Sequence, residues 1–192
     1  MTDSDSLCNS PVIILAHSAN RLSKRAMDTP PKGMISLNLL RPVVQLLAAK
    51  GIPADGFLIR YALTRTDILA GEGRVDVEVA TRIVDDLAAA LGDPCIGLSM
   101  ARHVNYDAVG VLGAVFVAGG TLGDVFALAS RFIDLVTDSV DASYVPTDRS
   151  VLLSLTPKPG VRVHAQGLLA AAAVVRDFVR ARAAGLRPTR VT

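Results

Sequence analysis

Leu39, Val43, Leu46 and Leu47 recur at three- and four-residue intervals, so the first patterned segment, 37–50, is predicted helical, with Gly51 as its stop. Pro53 opens a second helix whose apolar side is Phe57, Leu58, Tyr61 and Ala62. Thr66-Asp67 and Gly71-Glu72-Gly73 read as turns. Asp76 is the predicted N-cap of the next helix. There Ala80, Ile83, Val84, Leu87 and Leu91 keep helical period, while Glu78, Arg82, Asp85 and Asp86 take the other side. Gly92-Asp93-Pro94 ends that helix, and a short one is predicted over 96–103. After a turn at 105–107, the stretch 109–117 is strongly apolar until Gly119-Gly120 breaks it. Thr121-Leu122-Gly123-Asp124 is a variant capping box, in which hydroxyl and carboxylate satisfy free N–H groups at a helix start. Leu122, Val125, Phe126, Ala129, Ile133 and Val136 form the buried stripe that follows.

The period then switches. Segments 140–145 and 151–155 are short strands around Pro146-Thr147-Asp148-Arg149, a predicted hairpin. A long helix is predicted over 162–184, with Ala165, Leu168, Ala172, Val175 and Val179 on one side and Gly185 and Pro188 as its stop. A two-stranded hairpin alone is marginal. It must pack on helices or pair with strands not evident here, the first physical reason to expect an incomplete domain. Residues 1–33 differ: Ser, Asp, Asn, Thr and Pro dominate, ending in Thr29-Pro30-Pro31-Lys32-Gly33. They read as a disordered extension, and the break predicts that translation starts at Met27 or Met34.

The chain of 192 residues suits one domain, and 51% apolar against 20% charged residues predicts a well-buried core. With 4% aromatics and no Trp, that core rests on Leu, Val, Ile and Ala, and platforms for stacking bases are scarce. A net charge of +2 gives little support for nucleic-acid binding. The nearest basic cluster, Arg176, Arg180, Arg182, Arg187 and Arg190, reads as a solvated helix face running into a linker. Cys8 and Cys95 form no framework, so a reduced cytoplasmic protein is expected. No apolar run approaches bilayer length, and the basic residues near Pro11–Ala16 follow it rather than precede it, unlike a secretory signal.

Catalytic constellations fail on context. Gly97-Leu98-Ser99-Met100-Ala101 resembles a nucleophile elbow, but Pro94 leaves no room for a strand before Ser99. Ser99, His103 and Asp107 would share a helix face, yet nothing marks an oxyanion hole; a serine hydrolase is the third-ranked alternative. His17, His103 and His164 are isolated, so no metal site is expected, and no Walker, dinucleotide or H-E-x-x-H motif implies a cofactor. Gly110 and Gly113 suit close helix packing. His103, Tyr106, Arg131 and Tyr144 are candidate polar groups of a ligand pocket. The competing reading has Arg131 snorkelling and His103 and Tyr106 satisfied at a turn.

Three blocks carry more, in order: Gly92–Ala101, Val109-Gly110-Val111-Leu112-Gly113, and Thr121-Leu122-Gly123-Asp124 running to Arg131-Phe132. With Leu46-Leu47-Ala48-Ala49-Lys50-Gly51-Ile52 before them, they resemble the N-terminal regulatory domain of AraC/XylS-family transcription regulators, often catalogued as arabinose-binding. The resemblance spans roughly 35–185. It implies a domain that senses a small molecule, often dimerises, and controls a C-terminal domain with two helix-turn-helix units. The chain departs from that pattern. It ends at Thr192, where such proteins continue, and no segment has a convincing helix-turn-helix pattern. The founding regulator's arabinose domain is a β-rich barrel, whereas this sequence is mainly helical, so the catalogue name specifies no ligand.

The resulting expectation is an α+β fold, predominantly helical with a small hairpin, forming an incomplete effector-sensing regulatory domain over 34–192. Its expected partners are an unidentified small-molecule effector, a second copy in a homodimer, and DNA only through the missing C-terminal domain, with no membrane. The alternative is a ligand-free interaction module that pairs with intact regulators, with the helix face Leu168–Val179 as a candidate dimer surface; the favoured reading of that face is an intramolecular core helix.

Overall fold

The computed structural model describes residues 12–16, 33–104, 106, 110–118, 120–147, 151–182 and 190–191. Two hydrophobic clusters organise them. The first is built from the N-terminal half. Strand β2 (Met34–Ser36) leads into a 3-10 turn, Leu37–Leu40, started by Ser36, whose hydroxyl accepts the Asn38 N–H. Helix α1 (Arg41–Ala49) follows, with Pro42 where no intrahelical N–H is needed, then α2 (Ala54–Leu58) and α3 (Arg65–Ala70). Strand β3 (Arg74–Asp76) returns antiparallel to β2, pairing Met34 with Asp76. Helix α4 (Val77–Leu91) starts at Asp76, whose carboxylate accepts the Glu78 N–H, and ends at Gly92; α5 is Ile96–Ala101. Leu40, Val43, Leu47, Leu58, Ile68, Ile83, Leu87 and Ile96 form the centre of this cluster, each at most 2% exposed.

The second cluster lies between α6 (Val111–Ala118), α7 (Leu122–Phe132), the long helix α8 (Ala165–Arg182) and the hairpin β4 (Val140–Pro146)–β5 (Val151–Pro157). Its centre is aromatic despite the low aromatic content. The Phe178 ring lies 4.6 Å from Phe116, 5.6 Å from Tyr106 and 6.3 Å from Phe126, with edge-on tilts that suit ring quadrupoles. The expected capping box forms in full: Thr121 Oγ1 accepts the Asp124 N–H at 3.2 Å, and the Asp124 carboxylate accepts the Thr121 N–H at 3.0 Å.

Helix α8 joins both halves. Leu168, Ala172, Ala173, Phe178 and Val179 are buried within the domain, in keeping with the reading of that face as an intramolecular core helix. At its start His164 Nε2 lies 2.8 Å from Asp85 of α4.

The mostly helical α+β class is as expected, and the hairpin is present. It is not isolated: strand β1 (Val12–Ala16) runs parallel to β5, matching Val12 with Val151, and β6 (Arg190–Val191) pairs with β1, giving the order β4-β5-β1-β6. The partner strand comes from the segment expected to be disordered; for those five residues an apolar run, Val-Ile-Ile-Leu-Ala, finds a free strand edge. The remainder of 1–32 lies outside the described residues, as do residues 105 and 107 of the expected turn and Gly185 and Pro188. Helix α3, β2 and β3 were not anticipated. Thr66 and Asp67, read as a turn, lie inside α3.

Candidate functional site

Four segments meet where the two clusters adjoin: the end of β2 with the following turn, the α3–β3 loop, the residue before α6, and the chain leaving α7. They enclose a cleft of about 390 Å³ lined by Ser36, Asn38, Gly71, Gly73, Arg74, Gly110, Leu135 and Val136. Backbone bonds hold the walls together. The Ser36 N–H donates to Val136 O at 2.7 Å, Leu37 N–H to Gly73 O at 3.2 Å, and Asp138 N–H to Met34 O at 3.1 Å. Asn38 stands at the junction, its carboxamide donating to Gly71 O at 3.3 Å. The backbone crowds it closely: a Cβ on Gly71 would fall 2.1 Å from Asn38 Oδ1, and one on Gly110 would fall 3.1 Å from Asn38 Nδ2. Both glycines are left-handed, at φ 71° and 63°, so these two walls admit no side chain without strain.

Among the described residues lining the cleft, Arg74 carries the only charged side chain. Its Nη2 donates to the Asp134 carbonyl at 2.9 Å, and Nη1 lies 3.5 Å from Asp138 Oδ2, with the two side chains 34% and 40% exposed. Asp138 also accepts the Met34 N–H. Lys158 lies behind this pair, 2.7 Å from Asp134 and 3.8 Å from Asp141. The hydrogen bond to Asp134 holds the Lys158 ammonium above its ordinary range. Leu135 presents an apolar side chain, 58% exposed, to the mouth.

The family model of the N-terminal arabinose-binding domain of AraC transcription regulators matches residues 51–192. The chain belongs to this family. None of the curated proteins compared matches the chain. The three sequence blocks at 92–132 fall within the match, as do the cleft residues from Gly71 onward; Ser36 and Asn38 precede it. The AraC-type domain is thus a ligand-sensing regulatory domain of transcription control. No helix among its described residues is long and apolar enough to cross a membrane.

None of the four residues singled out from the sequence lines the cleft of this AraC-type domain. Tyr106 and Tyr144 come together only in the sense that both pack on the second cluster. The Tyr106 hydroxyl donates to Val174 O at 3.3 Å, and burial, with Asp177 nearby, raises its pKa. Tyr144 packs on Phe126, rings 6.3 Å apart, and its hydroxyl lies 2.9 Å from where a Gly123 Cβ would be. Arg131 is exposed on the last turn of α7, 5.7 Å over the Phe132 ring. His103 follows α5, its N–H on Met100 O at 2.9 Å.

Ser99 donates its hydroxyl to Asp93, which also accepts the Cys95 N–H at 2.9 Å. These bonds, the hydroxyl's foremost, lower the Asp93 pKa and tie Ser99 back to the turn before α5. Asp107 lies outside the described residues. The basic cluster is partly spent within the domain: Arg176 pairs with Asp177 at 2.8 Å, and Arg182 donates to Phe116 O at 2.9 Å. Gly71 and Gly73 were legible as a turn, but not as a wall; the signal was glycines recurring in separate segments.

Proposed function

We propose that this AraC-type domain binds a small-molecule effector in the cleft between its two clusters and, as a homodimer in the bacterial cytoplasm, passes occupancy to a helix-turn-helix domain beyond this chain. DNA is reached only through that domain. The observation that carries the reading is the convergence of four segments from both clusters on one cleft, with one charge and a few polar groups set against Leu135 and Val136. Ligand sites favour such junctions, and a ligand touching both sides acts on the equilibrium between their arrangements.

The test is a thermal-shift screen of small metabolites on the full chain, repeated with Leu135→Trp, which fills the mouth at an exposed position. A ligand at a hundred times its Kd adds about 2.7 kcal/mol, or roughly 5–10 °C for a domain of this size. Hits should vanish in Leu135→Trp. Hits that survive it and are lost instead on changing His103, Tyr106, Arg131 or Tyr144 would move the effector to those residues. Light scattering showing a strict monomer at high concentration, with and without a hit, would remove the homodimer.

A further inference from the structure

We infer that the effector is a small monoanion, a carboxylate with a short apolar body, which Arg74 captures by giving up Asp138. The inference rests on placing the effector in the cleft. Arg74 is the sole charged side chain lining it among the described residues, so the ligand's charged group meets a cation there. Asp134 and Asp138 carry the opposite charge, but neither lines the cleft. The present Arg74–Asp138 contact is a single approach of 3.5 Å between partly exposed groups, an arrangement that contributes little. A carboxylate entering the cleft can instead take two parallel N–H···O bonds from the guanidinium fork, a shorter and stronger pairing. Leu135 and Val136 supply the wall for a hydrocarbon body, and Ser36 and Asn38 supply neutral polar groups.

The surrounding charge favours a ligand with no more than one negative charge. Among the described residues, Asp134, Asp138 and Asp141 lie around Arg74 and Lys158, so each further negative charge on a ligand adds repulsion, and one is the most that the single guanidinium lining the cleft can match. Asp138 is therefore a competitor for Arg74. It is also fixed to the β2 side by its bonds to Met34, so the exchange loosens one tie across the seam.

The experiment measures binding of hexanoate, 1-hexanol, hexylamine and L-arabinose to the full 192-residue chain by calorimetry and by NMR titration. Hexanoate should bind, more weakly as salt rises. Arg74→Gln should weaken it about tenfold or more, the loss expected of a charge-assisted pair, and Arg74→Lys should restore part of it. Asp138→Asn keeps an acceptor for the Met34 N–H and should tighten hexanoate severalfold, a gain that a merely structural role for Asp138 would not produce. Hexanoate binding unchanged by Arg74→Gln, or weakened by Asp138→Asn, would overturn the inference. If 1-hexanol or L-arabinose binds and is lost in Leu135→Trp while hexanoate does not bind, the cleft stands and the anion falls. If no probe's binding responds to Leu135→Trp, the cleft falls and the inference with it.

Discussion

Adding one methyl group at Gly97 tests how α5 and α8 are joined. A Cβ there would lie 2.2 Å from the Gln166 carbonyl oxygen and 3.1 Å from its carbon. The obstacle is backbone, so no rotamer change relieves it. The same residue closes the joint twice more: Gln166 Oε1 accepts the Gly97 N–H at 3.0 Å, and Gln166 Nε2 donates to Pro94 O at 2.9 Å. Separating the chains to ordinary contact distance moves α8 by roughly an ångström and stretches both bonds. Overpacking of this kind costs about 1–3 kcal/mol, and a backbone obstacle places it near the upper end. Alanine's helix propensity returns about 1 kcal/mol. The net expectation for Gly97→Ala is a loss of about 2 kcal/mol, or about 4–8 °C in Tm for a domain of this size. Gly167, one residue after Gln166, is the internal control. Nothing lies within 4 Å of its Cβ position, so Gly167→Ala should gain several tenths of a kcal/mol, up to about 1. Urea unfolding of both variants beside the parent gives the signs directly. A Gly97→Ala protein as stable as Gly167→Ala would refute the close approach of the two helices.

Phe178→Ala removes the ring on which Tyr106, Phe116 and Phe126 converge, and should cost about 3–5 kcal/mol, read as a lower urea midpoint. Thr121→Ala removes the cap of α7 and should cost about 1 kcal/mol. The bonds from Thr121 depress the Asp124 carboxyl, the backbone one foremost. Its folded pKa thus lies below the unfolded one, so its contribution is present above the ordinary carboxylate value of about 3.9 and is lost as pH falls through the folded value. The stability gap between parent and Thr121→Ala should accordingly shrink on acidification; a constant gap would contradict it. Tyr61 is shifted to about 12 by burial first, then by its hydrogen bond to Asp86 and that carboxylate's charge. A raised pKa favours the folded state below the ordinary value of about 10, and this is lost as pH rises toward 12. Near-ultraviolet titration should show a late-ionising tyrosine that Tyr61→Phe removes.

Periodicity carried most helices because their buried stripes lie within single segments. Ala80, Ile83, Val84 and Leu87 are all buried on α4, and Val125, Phe126 and Val136 on α7 and the turn after it. Local chemistry carried the caps at Asp76 and Thr121 for the same reason. Thr64 and Asp67 repeat the Thr121–Asp124 pattern with the same spacing and form the same reciprocal box, so α3 was legible by a rule already in use. Strands β2 and β3 were not: three residues cannot display a period of two, and Met34 pairs with a residue 42 positions away. The cleft escaped for a related reason. Its lining sets Gly71, Gly73 and Gly110 beside Ser36, Asn38, Arg74, Leu135 and Val136, drawn from segments far apart in sequence, whereas His103, Tyr106, Arg131 and Tyr144 were chosen for side-chain chemistry. Two of those side chains proved to belong to a core, where an aromatic ring gains more from burial than its hydroxyl does from a ligand.

If the effector binds in the cleft as proposed, the cleft's position gives a route by which occupancy would be felt elsewhere. The two clusters are connected in two unlike ways. On one side α8 runs through, clamped to α5 by Gln166 and rooted among Phe116, Phe126 and Phe178 at its other end. Displacing it exposes buried rings, and every ångström of separation forfeits dispersion contacts. On the cleft side Leu39 packs on the second cluster, and the other connections are polar: Ser36 to Val136, Asp138 to Met34, and Arg74 to Asp134 and Asp138. Such bonds exchange for water at a small net cost, and an exposed ion pair contributes less still. Relative motion of the clusters therefore concentrates at the cleft, with α8 as the side that stays closed. A ligand that replaces the Arg74–Asp138 pair acts on the weakest tie, where the least binding free energy is needed to shift the balance between two arrangements.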